Sequence, residues 1–218
     1  MSEYINTYKL DHSDVVKPME RKKYYNEQKK VVEKTGHPTL AVGVFDVLLF
    51  TFDKEMIVQK RSNDKAHNPR MIDKAVGGHI EAGFTPAYTA MVECVQELRV
   101  PAVVLQRDQN EHLIPTLRSL KKNLESVAVL EFIDNKIHII DNCWDGKCIP
   151  TAKNVWLYFG VYGGPMKASD REASGILYYS IDNLKKEMEL DPDLFTPDLH
   201  YLLKEYEKEI NQFLKQLN

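Results

Sequence analysis

The stretch from Gly77 to Pro101 constrains the fold of this chain more than any other. The Gly77-Gly78 pair lies within an otherwise strand-like run, Lys74–Ile80, and marks a place where backbone approaches something closely. A punctuated helix follows. Thr85 is an N-cap by residue type, and Pro86 takes the first helical position, where a missing N–H costs nothing. Ala87, Ala90, Met91, Cys94 and Leu98 recur at helical spacing and form one buried face, and Pro101 ends the element. Glu93 and Glu97 fall on another face, one turn apart. Two carboxylates so placed converge on one hard cation, or else stand as ordinary solvated helix charges.

The rest of the chain supplies strands and helices around this unit. Leu40–Phe52 and Glu55–Gln59 read as strands joined around Asp53-Lys54, and Arg61–Pro69 as a polar loop. Val127–Phe132 and Lys136–Ile140 read as a hairpin around Asp134-Asn135, and Trp144–Lys147 as a turn. Val155–Tyr162 and Gly175–Ser180 read as strands. In the former, Trp156, Tyr158 and Tyr162 are core residues by type. Helices are expected at Met19–Lys34, Leu113–Leu124, Ile181–Leu190 and Pro197–Leu217. In the first of these, Arg21, Lys22 and Lys23 form a basic cluster that could touch phosphate but reads better as a solvated face. Mixed elements of this kind predict an α/β chain with a sheet sandwiched by helices. Its expected parts are a helical N-terminal extension (1–36), a main domain (37–200) with an insertion at about 101–153, and a C-terminal helix (201–218) packed on the domain. That last, amphipathic helix would also suit a homodimer interface.

With 218 residues, 43% of them hydrophobic, the chain can bury one substantial core. A net charge of −3 argues against a nucleic-acid polymer or an anionic membrane as partner. No apolar run long enough to span a bilayer and no signal-type segment is evident, so the expected compartment is the cytoplasm. Three cysteines are too few for a disulfide framework; Cys143 and Cys148 read as reduced thiols near a turn, and Cys94 as a small core residue.

Gly78 to Val100, GHIEAGFTPAYTAMVECVQELRV, resembles the Nudix signature in its loop–helix frame, with Gly77, Gly78, His79, Gly83, Pro86, Ala90, Glu93, Glu97 and Val100 in place. It departs from the signature at Phe84, Val92, Gln96 and Arg99, which stand where the family carries Glu, Arg, Glu and Gly. The flanks resemble the Nudix branch of isopentenyl-diphosphate isomerase and its hydrolase relatives. The matching residues there are Gln59, Lys60, Arg61, Ser62, Lys65, Pro69 and Asp73, with His37 at the branch's spacing before Phe45. Downstream, Arg171-Glu172-Ala173 and Phe195-Thr196-Pro197-Asp198 resemble the tail of the same branch. Gly77 stands where the isomerases place a Cys, and VWLYFGVY lacks their Glu-x-Glu, which argues against an isomerase.

The resemblance implies a Nudix-type α/β/α sandwich with a mixed sheet. It also implies a metal-dependent hydrolase acting on a small-molecule diphosphate linked to an organic moiety, such as a nucleoside diphosphate derivative. Mg²⁺ or Mn²⁺ would be held by Glu93 and Glu97, the catalytic pair, with Glu81 as auxiliary ligand. Lys60, Arg61 and His79 would contact phosphate, and Glu172 matches an acidic position of the family tail. Phe84, Val92 and Gln96 together suggest that a polar support network has been exchanged for apolar packing. The missing acids favour a rival reading: a catalytically weak or inactive Nudix-fold module that binds a phosphorylated metabolite.

Overall fold

The structure, a computed structural model, describes residues 3–11, 16–65, 67–105, 125–144, 147–168 and 173–217. In chain order it runs β1 (Tyr4–Lys9), β2 (Val16–Glu20), α1 (Arg21–Thr35), β3 (Leu40–Phe50), β4 (Met56–Arg61), β5 (Ile72–Lys74), β6 (Val76–His79), α2 (Pro86–Leu98), β7 (Ala102–Leu105), β8 (Ala128–Trp144), β9 (Lys147–Val161), β10 (Ala173–Tyr179), α3 (Ile181–Leu190), α4 (Pro197–Glu205) and α5 (Glu207–Gln216). The expected helix at 113–124 and the acid Glu172 lie outside the described residues.

The sheet is organised around β3. The whole length of one edge of β3 pairs in parallel with β9, from Ala41↔Ala152 to Phe50↔Val161. The opposite edge is shared in succession by β1, β6 and β4, all antiparallel. The main strand order is β10-β4-β3-β9-β8-β7. Period-two alternation sorts the side chains of β3. Phe45, Val47 and Leu49 pack under Ala90, Cys94 and Leu98 of α2. Leu48 and Phe50 pack under Leu199, Leu202, Ile210 and Phe213 of the C-terminal helices. A mixed sheet between helical layers is the α/β/α sandwich the sequence implies.

The capping signals of α2 act as expected, with the Thr85 hydroxyl accepting from the Tyr88 N–H at 3.2 Å. Arg99 closes the helix at φ 61°, ψ 29°. This is a left-handed backbone, which a non-glycine side chain disfavours.

Four local expectations differ from the structure, and the first is the closing helix read at Pro197–Leu217, which is two helices, α4 and α5, meeting at Tyr206. The N-terminal segment is not helical alone: β1 and β2 precede α1, and β1 joins the edge of β3. Residues from Ile5 to Tyr8 are all buried, so no alternation betrays that strand. The hairpin read around Asp134-Asn135 is one long strand, β8, with an irregularity between Phe132 and Asp134. The turn-type residues serve this bulge: the Asn135 amide donates to Asn154 Oδ1 at 2.8 Å and to the Val155 carbonyl at 3.0 Å. Finally, Cys148 is disulfide-bonded rather than reduced. The β8–β9 register sets positions 143 and 148 directly opposite each other, a proximity that sequence spacing alone left open. Cys94 is free and buried, as expected of a core residue.

Candidate active site

A polar cavity of about 370 Å³ opens beside the Gly77-Gly78 strand, lined from α1, β3, the loop after β4, β5, β6, α2, β8, β9 and α4. A wider depression of about 840 Å³ runs along α4 and α5, but its lining is surface lysine, glutamate, glutamine and asparagine side chains without a converging group.

Of the six residues expected to hold metal or phosphate, four line the polar cavity: Glu93, Glu97, Arg61 and His79. Two do not. Lys60 is exposed, because alternation along β4 sends it to the opposite face from Gln59 and Arg61. Glu81 is exposed in the loop before α2, where it bridges to Ile5. His37 is exposed after α1 and also stands apart.

Glu97 is 6% exposed, and its Oε2 accepts from the Gln59 amide at 3.1 Å. Burial pushes its carboxyl up to about 7; the Gln59 bond opposes this and the charge of Glu93 adds to it. Glu93 is raised as well, first by burial, with Lys65 opposing and Glu3 and Glu81 reinforcing. The two acids therefore share a poorly solvated, under-compensated corner of the cavity. His79 is half-buried, and its Nε2 hydrogen-bonds the Tyr25 hydroxyl at 2.7 Å. Burial, with Arg21, Lys153 and His67 adding, holds this imidazole well below the ordinary histidine range, so it is neutral.

Arg61 is committed to structure. Its guanidinium pairs with Asp73 at 3.0 Å and donates to the carbonyls of His67 and Asn68, which fixes the loop that carries Lys65.

The cavity floor is a buried ion network that sequence reasoning did not find. Lys74 Nζ lies 3.1 Å from Asp46, 3.4 Å from Asp73 and 3.6 Å from Asp198. Lys153 holds both oxygens of Asp198, at 2.6 and 2.7 Å. Thr196 donates to Asp73 at 2.8 Å. Burial disfavours every charge here, but Lys153 and Lys74 outweigh it for Asp198, and Lys74 and Arg61 for Asp73, so both carboxyls sit below the usual range. Asp46 relies on Lys74, which it shares with two other aspartates, and burial wins: its carboxyl is pushed up to about 6. Gly77 packs on this pair. A Cβ there would stand 2.4 Å from Lys74 Cε and 2.7 Å from Asp46 Oδ1, so a larger residue would force this ion pair to shift.

A sequence signal for the network did exist. Asp46 interrupts the apolar strand LAVGVFDVLLF, and a charge inside a buried strand requires a partner. Nothing in the sequence named that partner, since Lys74, Lys153 and Asp198 come from three separate elements. Arg21 and Tyr25 of α1 also reach the cavity, whereas Lys22 and Lys23 are exposed as expected.

Neither Phe84 nor Gln96, two of the departures from the signature, is buried in the core. Phe84 is 45% exposed and stacks on Tyr88, ring centroids 5.0 Å apart, while Gln96 is exposed at the cavity wall.

No family model matches the chain, and no curated protein does. Among solved structures, DR0079 from Deinococcus radiodurans shares the architecture over almost its full length. Its TM-score is 0.61 at 15% identity, covering 93% of this chain and 98% of that one. Weaker likenesses are to a MutT protein from Methanosarcina mazei Go1 (TM-score 0.47, 13% identity, 77% and 93% covered) and to an Ap4A hydrolase from C. elegans (0.45, 13%, 79% and 100%). The mixed sheet between α2 and the C-terminal helices, with the Gly78–Val100 loop and helix set against a polar cavity, is thus a fold this chain shares with DR0079.

Proposed function

We propose that the chain is a Nudix-type, metal-dependent hydrolase of a small diphosphate linked to an organic moiety. The observation that carries this reading is the presence of Glu93 and Glu97 together in one cavity, both raised by burial and short of compensating charge. A divalent cation is the natural partner of such a pair. The donor set fits Mg²⁺ or Mn²⁺: hard carboxylate oxygens, too few to make an all-protein cage, suit an ion that retains waters and takes further oxygens from substrate phosphates. When bound there, the ion supplies Lewis-acid polarisation of the phosphoryl group.

The chain's own residues have separate tasks. Glu93 and Glu97 hold the ion, and Gln59 fixes the orientation of Glu97 through Oε2, leaving Oε1 for a ligand. Glu81 stands further out and acts on Glu93 through its charge. Arg61 anchors the loop that brings Lys65 toward the acids, where its charge faces phosphate oxygens. The neutral Tyr25–His79 pair offers hydrogen bonds without adding charge. Hydrolysis then forms a bond from a water oxygen to one phosphorus as the bridging P–O bond breaks. The products are two phosphate species, and the water's proton is released to solvent.

The rival reading, a module that binds a phosphorylated metabolite with little turnover, has one observation in its favour. Among the described residues no group of three or more His, Cys, Asp or Glu side chains is arranged to hold a metal. A panel of organic diphosphates with Mg²⁺ or Mn²⁺, comparing wild type with Glu97→Gln, separates the two. Metal-dependent phosphate release abolished by the substitution supports the hydrolase. Saturable binding without release in wild type supports the module.

A further inference from the structure

The N-terminal segment lies outside the Nudix signature, yet it supplies one wall of the cavity. Tyr24 is wholly buried and ties α1 to the sheet by donating to the Leu40 carbonyl at 3.0 Å. That anchorage sets the next turn-mates, Arg21 and Tyr25, at the cavity. Tyr25 bonds His79, so this wall is coupled directly to the glycine-paired strand. Arg21 Nη1 pairs with Glu3 at 2.8 Å, and both side chains are about two-fifths exposed, at 41% and 43%. An exposed pair of this kind is weak. Glu3 engages one of five N–H donors in a planar fork, a geometry that matches phosphate in bidentate fashion.

The charges of the cavity point the same way. Lys74, Lys153 and Arg61 are spent on Asp46, Asp73 and Asp198. Glu93 and Glu97 belong to α2, with Lys65 beside them. Arg21 is contributed by a different element, α1, and acts on His67 and His79 rather than on the two glutamates. The cavity thus has an acidic end on α2 and a separate guanidinium on α1. At about 370 Å³ it is near the small end of ligand cavities, which run from about 300 to 1,000 Å³.

We infer that Arg21, displaced from Glu3 and supported by the Tyr25–His79 pair, is a second anion subsite that selects a small organic diphosphate carrying a further phosphate monoester on its organic part. This rests on the hydrolase reading for the placement of the diphosphate at Glu93 and Glu97. Specificity toward the organic moiety then resides in α1 and β1, outside the loop–helix frame.

The test is calorimetric titration in Mg²⁺ with two probes, inorganic pyrophosphate and phosphoribosyl diphosphate, a ribose bearing a diphosphate at one end and a phosphate at the other. Wild type is expected to bind the second more tightly. Arg21→Ala should lower the ratio of the two affinities by about 10- to 100-fold, the range for losing charge-assisted hydrogen bonds. Arg21→Lys should lower it less. Glu3→Gln, which removes the competing carboxylate, should raise it. A wild type that does not discriminate between the probes, or a ratio unmoved by Arg21→Ala in a protein with unchanged thermal unfolding, overturns the inference. Failure of the underlying reading looks different: pyrophosphate then shows no Mg²⁺-dependent binding sensitive to Glu97→Gln.

Discussion

Replacing Lys74 by Met tests the buried network most sharply. The substitution keeps an unbranched side chain of similar length and removes one charge from the centre of three aspartates. Asp73 would retain Arg61 at 3.0 Å and Thr196 at 2.8 Å, and Asp198 would retain both contacts to Lys153. All three aspartates would lose Lys74, but Asp46, at 5% exposure on the strand that organises the sheet, would keep none of these other partners. Leaving one buried charge without its partner costs about 3–5 kcal/mol. For a chain of this size, about 2–4 °C of unfolding temperature corresponds to each kcal/mol, so a fall of roughly 6–20 °C is expected. Urea unfolding at pH 7, followed by tryptophan fluorescence, measures the loss. The sign of the pH effect follows from Asp46. Its carboxyl is already raised to about 6, and without Lys74 it rises further, so protonation relieves the variant. The deficit should shrink between pH 7 and pH 5, and Lys74→Met with Asp46→Asn should recover most of it. A loss below about 1 kcal/mol, or no recovery in the double variant, would refute the claim that an unpaired Asp46 is the source of the cost.

Other outcomes follow from the same packing. Gly77→Ala drives a methyl group into Lys74 and Asp46 and should cost about 1–3 kcal/mol in chemical unfolding, whereas Gly175→Ala, which meets open space, should cost much less. Arg99→Gly relieves a left-handed backbone at the end of α2 and should stabilise by about 0.5–1 kcal/mol in the same assay. Asp198 and Asp73 have depressed carboxyl pKa values, so their contribution to stability is complete above the unfolded value near 3.8 and is lost as pH falls through the lower folded values. Asp198→Asn should therefore flatten the acid limb of a stability–pH profile below about pH 4 while lowering stability at pH 7; an unchanged acid limb would count against the network.

The legible part of this chain was local. Thr85, Pro86 and the apolar spacing of α2 specify a capped helix whose faces are determined by geometry, so Glu93 and Glu97 could be placed one turn apart on a single face before any fold was known. Strand alternation could also have excluded Lys60, since Gln59 and Arg61 must share the opposite face. What stayed hidden was non-local. Asp46, Lys74, Lys153 and Asp198 meet only because β3 pairs with β6 and β9 while α4 docks beneath them, and no sequence spacing encodes that meeting. Likewise Tyr25 reaches His79 across 54 positions, through the packing of α1 on the sheet. Strand β1 escaped because both of its faces are covered, so its pattern has no polar side.

The central claim is that Glu93 and Glu97 jointly hold a divalent cation in the polar cavity. Titrating the protein with Mn²⁺ and following free Mn²⁺ by electron paramagnetic resonance tests it without requiring a substrate. The account predicts a saturable site on the wild-type chain that Mg²⁺ displaces and that both Glu93→Gln and Glu97→Gln weaken by about tenfold or more, as loss of a ligating carboxylate requires. Binding that survives both substitutions, or no saturable binding to the wild-type chain, would contradict it.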